Sequence, residues 1–430
     1  MTLTGRAAAA ALAGAVVLVA VRNLAALAAV NLVLLAGIAA DLLLAARVRP
    51  LRLSRSGDTQ VRLGQSATVR VTVEHPGRRL LRAAVRDAWQ PSAGLAARHQ
   101  RLRLRGGQRA AVVFTLRPER RGDKVSAGVT VRSFGPLGLA ARQRRLPLPW
   151  SVRVLPPFAS RRHLPEKLSR LRELEGQHRT MLRGQGSEFD SLREYVIGDD
   201  VRSIDWRAAA RRGDVMVRTW RPERDRRILI VLDTGRTSAG RVGGFPRLDV
   251  SMDAALLLTA LAARAGDRVD FIAYDRQLRA RVTGAPRPAV LASVTSAMAV
   301  LEPALIESDA AAMAGAVLTL ARQRSLVVLL TDLNAAAVEE GLLPRVPLLA
   351  ARNQLLLAAV ADPRLAEMAA ARGDAASVYG AAAAQRAGAE RARVAALPRQ
   401  RGVQVVEAVP GHLPSALADA YLALKAAGRL

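Results

Sequence analysis

The sequence predicts a membrane-tethered protein of mixed α/β class: an N-terminal transmembrane helical hairpin, a small antiparallel β-sandwich and a C-terminal doubly wound parallel sheet. Three observations lead there. Two long apolar runs open the chain, short alternating segments broken by Gly and Pro follow, and from residue 226 continuous apolar strands alternate with helical stretches. The boundaries implied are 1–49 for the hairpin, 50–158 for the sandwich, 159–225 for a connector with a charged signature segment, and 226–430 for the sheet.

The hairpin rests on Ala7 to Val21 and Leu24 to Ala46, separated by Arg22 and Asn23. At 1.5 Å per residue the second run crosses ~30 Å of hydrocarbon, whereas the first reaches only by including Thr2 to Gly5 or by thinning the lipid. The first run also has a rival reading as a cleaved signal peptide, with Arg6 ahead of it and Ala26-Leu27-Ala28 as a cleavage site, which would still leave the second run as an anchor. Arg47, Arg49, Arg52 and Arg55 follow closely. Arginine accumulates on the cytoplasmic side, so the soluble part is expected in the cytoplasm, beneath the inner (plasma) membrane. Asp41, near the end of the second run, reads as an interfacial residue.

The sandwich rests on segments such as TVRVTV, AAVVFTL and GVTVRS, with turns at Gly135-Pro136 and Gly138. A charged helix from Leu164 to Arg183 follows, ending in a flexible GQGSEF. The parallel sheet rests on RRILIVLD, RVDFIAYD, SLVVLLTD, QLLLAAVAD and VQVVEAV, joined by helical crossovers, with QLRARVTG turning back as an edge strand.

Composition narrows the chemistry. The 430 residues contain no cysteine, which removes disulfides and thiolate sites. The formal charge of +29 is almost all arginine, Lys124, Lys167 and Lys425 being the only lysines, and it reads as general basicity rather than one clustered block. With aromatics at 3%, no dedicated nucleic-acid site is expected. No P-loop, HExxH or GxSxG occurs and the five histidines are scattered, so no catalytic constellation is found.

Four predicted strands end in aspartate: Asp233, Asp275, Asp332 and Asp362. In a parallel sheet they line the edge where open α/β folds bind ligands, and Asp233 and Asp332 come closest if their strands flank the point where strand order reverses. Asp275 and Asp362 read as helix caps. Carboxylates brought together either raise a pKa or hold a hard cation, and hydroxyls for a Mg²⁺ shell are available at Thr234, Thr237, Ser238, Ser308 and Thr331. Metal-assisted phosphoester hydrolysis at this rim is the enzymatic alternative.

DTGRTS at Asp233 to Ser238, with LLTDL at Leu329 to Leu333, resembles the metal-ion-dependent adhesion site of von Willebrand factor type A domains. The stretch FDSLREYVIGDDVRSIDWRAAARRGDVMVRTWRPER resembles the signature of a bacterial family labelled domain of unknown function 58. The resemblance implies a type A-like C-terminal fold, a membrane anchor, and work with a MoxR-type AAA+ ATPase in assembling or activating other complexes. It assigns metal ligation to Asp233, Thr237, Ser308 and Asp332. Gly235 stands where the pattern has its first serine and removes one ligand, so the implied Mg²⁺ is held weakly or not at all. The function expected is therefore a cytoplasm-facing interaction adaptor at the lipid bilayer.

Within the signature, Ser203 or Asp205 is expected to cap a short helix, WRAAARR, that Gly213 ends, before VMVRTW runs as a strand. Tyr195, Ile197, Ile204 and Trp206 are expected to be buried as a clamp, with Asp199, Asp200 and Asp205 paired to Arg193, Arg202 and Arg207; a partner-docking surface is the other reading.

Overall fold

The chain begins with a two-residue strand, β1 (Thr2–Leu3), and two apolar helices, α1 (Gly5–Val21) and α2 (Leu24–Leu44). The computed structural model describes residues 1–21, 23–181, 188–221 and 226–430; Arg22, and the part of GQGSEF up to residue 187, lie outside the described residues. Two units are distinguished, Met1–Leu155 and Pro156–Leu430. In the first, among the described residues, α2 is the helix long and apolar enough to cross a membrane, its 21 residues spanning about 31 Å, while α1 is shorter. Asn23 caps α2 by accepting the Ala25 N–H. Gly14 lets the two helices approach closely, since a Cβ there would lie 2.5 Å from Val30 Cγ1.

Nine further strands complete this unit: β2 (Arg52–Gly57), β3 (Gln60–Arg62), β4 (Ala67–Glu74), β5 (Leu81–Trp89), β6 (Gln100–Leu104), β7 (Arg109–Leu116), β8 (Gly122–Phe134), β9 (Ala140–Leu146) and β10 (Trp150–Leu155). One sheet runs β2-β4-β7; the other runs β1-β9-β8-β10-β3, with β5 also on β8 and β6 beyond it. Pairing is antiparallel except between β10 and β3. Alternation decides the faces: Val69, Val71 and Val73 of β4 point inward, with arginine and threonine between them; Val71 and Val73 meet Leu81, Val85, Phe114, Val129 and Val131, and Val69 packs with Leu116, Val152 and Val154. Arg55 is a correction to the basic cluster expected behind the second apolar run. Its side chain is buried, bonded to Asp87 at 2.6 Å, and burial pulls its pKa below the ordinary arginine range while Asp87 opposes the shift.

Asp41 does more than mark an interface. Its carboxylate is fully buried and accepts the backbone N–H groups of Leu137 (2.8 Å), Leu139 (2.5 Å) and Ala140 (3.1 Å). The loop closes so tightly over it that a Cβ on Gly135 would sit 2.2 Å from Asp41 Oδ1. Thr4 Oγ1 donates to Gly138 O at 2.6 Å, and Arg142 Nε donates to Leu42 O at 2.8 Å, so the β8–β9 loop and the start of β9 hold the start of α1 and the end of α2.

The second unit opens with α3 (Leu164–Met181), followed by a hairpin of β11 (Glu188–Glu194) and β12 (Met216–Arg221) that encloses α4 (Trp206–Arg212). Its main sheet contains β13 (Arg227–Asp233), β16 (Arg268–Tyr274), β17 (Leu278–Val282), β18 (Ser325–Leu330), β19 (Gln354–Val360) and β20 (Gln404–Ala408); β14 (Arg241–Val242) and β15 (Phe245–Pro246) form a small separate ribbon. The order is β17-β16-β13-β18-β19-β20, parallel throughout except for the antiparallel edge strand β17. The helices are α5 (Arg247–Arg264), α6 (Arg287–Ala299), α7 (Ala310–Leu320), α8 (Val346–Ala350), α9 (Pro363–Ala370), α10 (Ala375–Gln400) and α11 (Leu413–Ala426). The crossover from β18 to β19 contains a π-helical turn, Ala336–Leu342, running through a 3-10 turn into α8.

Period-two geometry splits β13 between two cores. Ile228, Ile230 and Leu232 pack in the cluster that contains α5, α6 and α11, whereas Leu229 and Val231 face the one that contains α7, the π-helical turn and residues of α10. A strand buried on both sides must be apolar at every position, which is why RILIVLD reads as a continuous run. The chain passes from β13 to β16 and β17 on one side and then to β18, β19 and β20 on the other, so the order reverses at β13, and the carboxyl ends of β13 and β18 lie at that switch point.

Candidate functional site

The switch point brings together Asp233 at the end of β13 and Asp332 just after β18 with side chains from residues 302–309, α5 and α10. Asp233 closes β13 and is 8% exposed. Its Oδ1 accepts Ser308 Oγ at 2.5 Å and the Gly235 N–H at 2.8 Å, and its Oδ2 accepts Thr331 Oγ1 at 2.7 Å. Residues 302–309 lie over this side: Ala304 N donates to Thr234 O at 2.7 Å, and Arg236 N donates to Ile306 O at 2.8 Å. Gly235 is required by that closure, because a Cβ there would lie 2.2 Å from Ser308 Oγ. The space expected for a missing ligand is therefore taken by Ser308. Gly235→Ala is expected to cost about 1–3 kcal/mol by overpacking. Pairing it with Ser308→Gly should recover part of that loss in chemical denaturation.

Asp332, also 8% exposed, follows β18, and the partners described for its carboxylate are arginines. Arg247 Nη1, at the first residue of α5, reaches its Oδ2 at 2.5 Å; Arg391 Nη2, from α10, reaches its Oδ1 at 2.9 Å. Arg391 also donates to Val360 O at 3.0 Å and, through Nε, to Glu407 of β20. Burial opposes its charge, yet Asp332 and Glu407 together raise its pKa above the ordinary arginine range. Thr237 contributes its backbone carbonyl, which accepts Arg247 Nη1 at 3.3 Å.

This arrangement decides the fit of a divalent cation. Magnesium needs about six oxygens with room for its waters, and Asp332 would have to be one of them. Two guanidinium groups hold both of its oxygens, and like charges at such spacing repel by several kcal/mol at an effective dielectric near 20, of order 4 kcal/mol per pair of unit charges at 4 Å. Among the described residues, no group of three or more His, Cys, Asp or Glu converges. The four residues assigned to metal ligation thus share one rim but do not fit a cation. Asp233 and Ser308 meet; Asp332 turns to arginine, and Thr237 offers its carbonyl to that same arginine.

The other two strand-end aspartates have structural work. Asp362 caps α9 by accepting the Arg364 N–H at 3.0 Å. Asp275 corrects the expected helix cap: it holds the β16–β17 turn, accepting Arg276 N (2.6 Å), Gln277 N (3.1 Å) and Arg279 Nε (2.6 Å). Burial pushes its pKa up, but the Arg279 guanidinium and the two N–H groups outweigh that and leave it below the ordinary carboxylate range. Arg247, Arg391 and Glu407 carry no motif. Arg391 sits in an alanine-rich helix whose sequence offers no sign of which arginine turns inward.

In the signature segment, Asp205 caps α4 through the Arg207 and Ala208 N–H groups, both at 3.1 Å, and Gly213 ends the helix at φ 84°. Arg193 pairs with Asp199 at 2.5 Å, and that guanidinium lowers the Asp199 pKa. Asp205 pairs with Arg218 at 2.7 Å rather than with Arg207, and Asp200 caps its own 3-10 turn by accepting the Arg202 N–H. The expected burial is not found. Ile197 is 96% exposed and Trp206 66%, with Tyr195 and Ile204 half-buried. The physical reason is that the hairpin braces itself: Tyr195 N donates to Val215 O, Asp205 N donates to Met216 O, and Met216 and Val217 are its buried residues.

Comparison with known proteins finds similarity to uncharacterized proteins. The chain is 27% identical over 198 residues to Rv1480 of Mycobacterium tuberculosis and to Mb1516 of Mycobacterium bovis, covering 45% of this chain. It spans 61% of the length of those relatives. Among solved structures, a CARDB domain from Pyrococcus furiosus aligns at 15% identity with a TM-score of 0.19, over 24% of this chain and 91% of that one. A FixG-related protein from Vibrio parahaemolyticus aligns at 8% identity with a TM-score of 0.18, over 24% and 96%. Residues 191–378, which hold most of the signature hairpin and the rim from Asp233 to Asp332, match the family described as Protein of unknown function DUF58.

Proposed function

We propose that the protein is a membrane-anchored adaptor of the domain of unknown function 58 family, facing the cytoplasm, which docks a MoxR-type AAA+ ATPase through its signature hairpin. The observation that carries this reading is the exposure of Ile197 and Trp206 on a segment already braced by the Arg193–Asp199 and Arg218–Asp205 pairs. Large apolar side chains held rigidly in water are the usual anchors of an interface, and tryptophan is the most enriched of them. The close contact of Gly14 with Val30, and the engagement of Thr4 and Asp41 by one loop, support two spans with both ends on the same side of the membrane. The strand order with its antiparallel edge supports a type A-like sheet. Of its adhesion-site positions, Asp332 is neutralised by Arg247 and Arg391 and Asp233 is held by hydroxyls, and no step of the adaptor role passes through a metal.

Trp206→Ala and Ile197→Asp test this in the full chain. Exposed substitutions shift stability by about 0.5 kcal/mol or less, so melting should stay within roughly 2 °C of the parent. Capture of the purified ATPase should weaken by a factor of about 10 or more. Melting lowered by many degrees with capture retained would make the segment a clamp and overturn the docking role.

A further inference from the structure

The basic charge is unevenly distributed. Residues 1–155 hold 26 Lys and Arg against 6 Asp and Glu, a net +20 of the chain's +29, although they are little more than a third of its length. This corrects the impression of evenly spread basicity, and the structure shows where part of the charge collects. Arg79 donates through Nη1 to Leu43 O, and Arg142 through Nε to Leu42 O at 2.8 Å, both at the last turn of α2. Arg82 Nη1 reaches Pro136 O and Arg6 Nη1 reaches Leu137 O, each at 3.4 Å, on the loop that Asp41 holds. Four guanidinium groups therefore ring one end of the apolar helix.

Each guanidinium has five N–H donors, and the bonds described for these four each use one. Asp41, the acid at this end, is committed to three backbone N–H groups, and among the described residues no carboxylate pairs with the four arginines. Leu43 (68% exposed) and Leu137 (53%) lie in the same ring. Apolar side chains beside uncompensated arginines, at the end of a helix long enough to span hydrocarbon, match the depth at which acyl chains give way to headgroups.

We propose that Arg6, Arg79, Arg82 and Arg142 form a collar that binds the anionic headgroups of the bilayer around α2. The inference rests on the membrane-anchor reading above and adds to it a preferred lipid. Charge complementarity and the fixed depth of the collar favour a lipid surface over nucleic acid, which would need stacking aromatics that the chain largely lacks at 3%.

The test uses the full chain reconstituted into vesicles of equimolar phosphatidylcholine and phosphatidylglycerol, extracted in mild detergent, with retained lipid identified by native mass spectrometry. Phosphatidylglycerol is expected to be enriched. Arg6→Gln, whose guanidinium is exposed, should lower the enrichment about five-fold with unchanged melting, and Arg79→Gln/Arg82→Gln/Arg142→Gln should abolish it. The charge-matched triple Arg98→Gln/Arg101→Gln/Arg103→Gln, at exposed positions elsewhere on the sandwich, should retain it. Equal retention of both lipids by the parent overturns the collar, as does equal loss in the two triples. Displacement of phosphatidylglycerol by a DNA oligonucleotide, dependent on the same arginines, reassigns the ring to a general polyanion and also overturns it. Flotation with vesicles of pure phosphatidylcholine separates the two readings: a chain that floats without headgroup preference keeps its anchor and loses the collar, whereas one that fails to float loses both.

Discussion

Arg391→Ala is expected to destabilise the protein by about 3–5 kcal/mol, the usual cost of stranding a buried charge. The arginine touches Asp332, Glu407 and Val360 O together, so its removal leaves two carboxylates and a carbonyl at the carboxyl ends of β18, β19 and β20 with a shared partner gone. At roughly 2–4 °C per kcal/mol for a unit of this size, the melting temperature should fall by on the order of 10 °C. Arg391→Lys should recover only part of this, because an ammonium lacks the planar fork that reaches three acceptors from one side chain. A further outcome separates guanidinium from metal chemistry. In Arg247→Gln/Arg391→Gln, Asp332 is freed beside Asp233, and millimolar Mg²⁺ should then raise the melting temperature, whereas the parent should not respond. A parent that is stabilised by Mg²⁺ and destabilised by EDTA would show that the arginines yield to the cation.

Asp41→Ala should have a comparable effect in the first unit. It removes the acceptor of three backbone N–H groups, those of Leu137, Leu139 and Ala140, in a place sealed from water by Gly135. Hydrogen bonds to a charged acceptor are worth about 1.5–3 kcal/mol each and are not fully additive, so a total near 4 kcal/mol is expected. Hydrogen exchange gives the site-specific check: the amides at 137, 139 and 140 should lose protection, while those of β4 and β7 keep theirs. Asp41→Asn should fall between, since its amide offers one oxygen where the carboxylate offers two. Unchanged protection in Asp41→Ala would mean that the loop is held by its contacts with Thr4, Arg6 and Arg82 instead.

Much of the architecture was legible because it depends on local periodicity. The apolar length of Leu24–Leu44, the alternation in β4 and the unbroken apolar runs of β13, β18 and β19 each reflect a constraint that acts within one element. The Asp205 cap and Gly213 stop of α4 were legible for the same reason, since caps are satisfied within a few residues. Asp233 and Asp332 were found because strand ends in a parallel sheet share an edge whatever the side-chain details. The signature misled on burial: its mix of acids, arginines and apolar residues suggested a clamp, but those charges pair within the hairpin and leave Trp206 outside.

The sequence by itself determined the elements, their order and the edge at which acidic groups gather, because hydrophobic period and capping are short-range properties of the chain. Only the tertiary structure decided what the acids do. Arg391 lies 59 positions from Asp332, and Arg247 lies 85 positions away on the other side. Which of many similar arginines turns inward depends on how helices pack across the sheet, and that choice makes the rim a guanidinium-bridged carboxylate in place of a cation site.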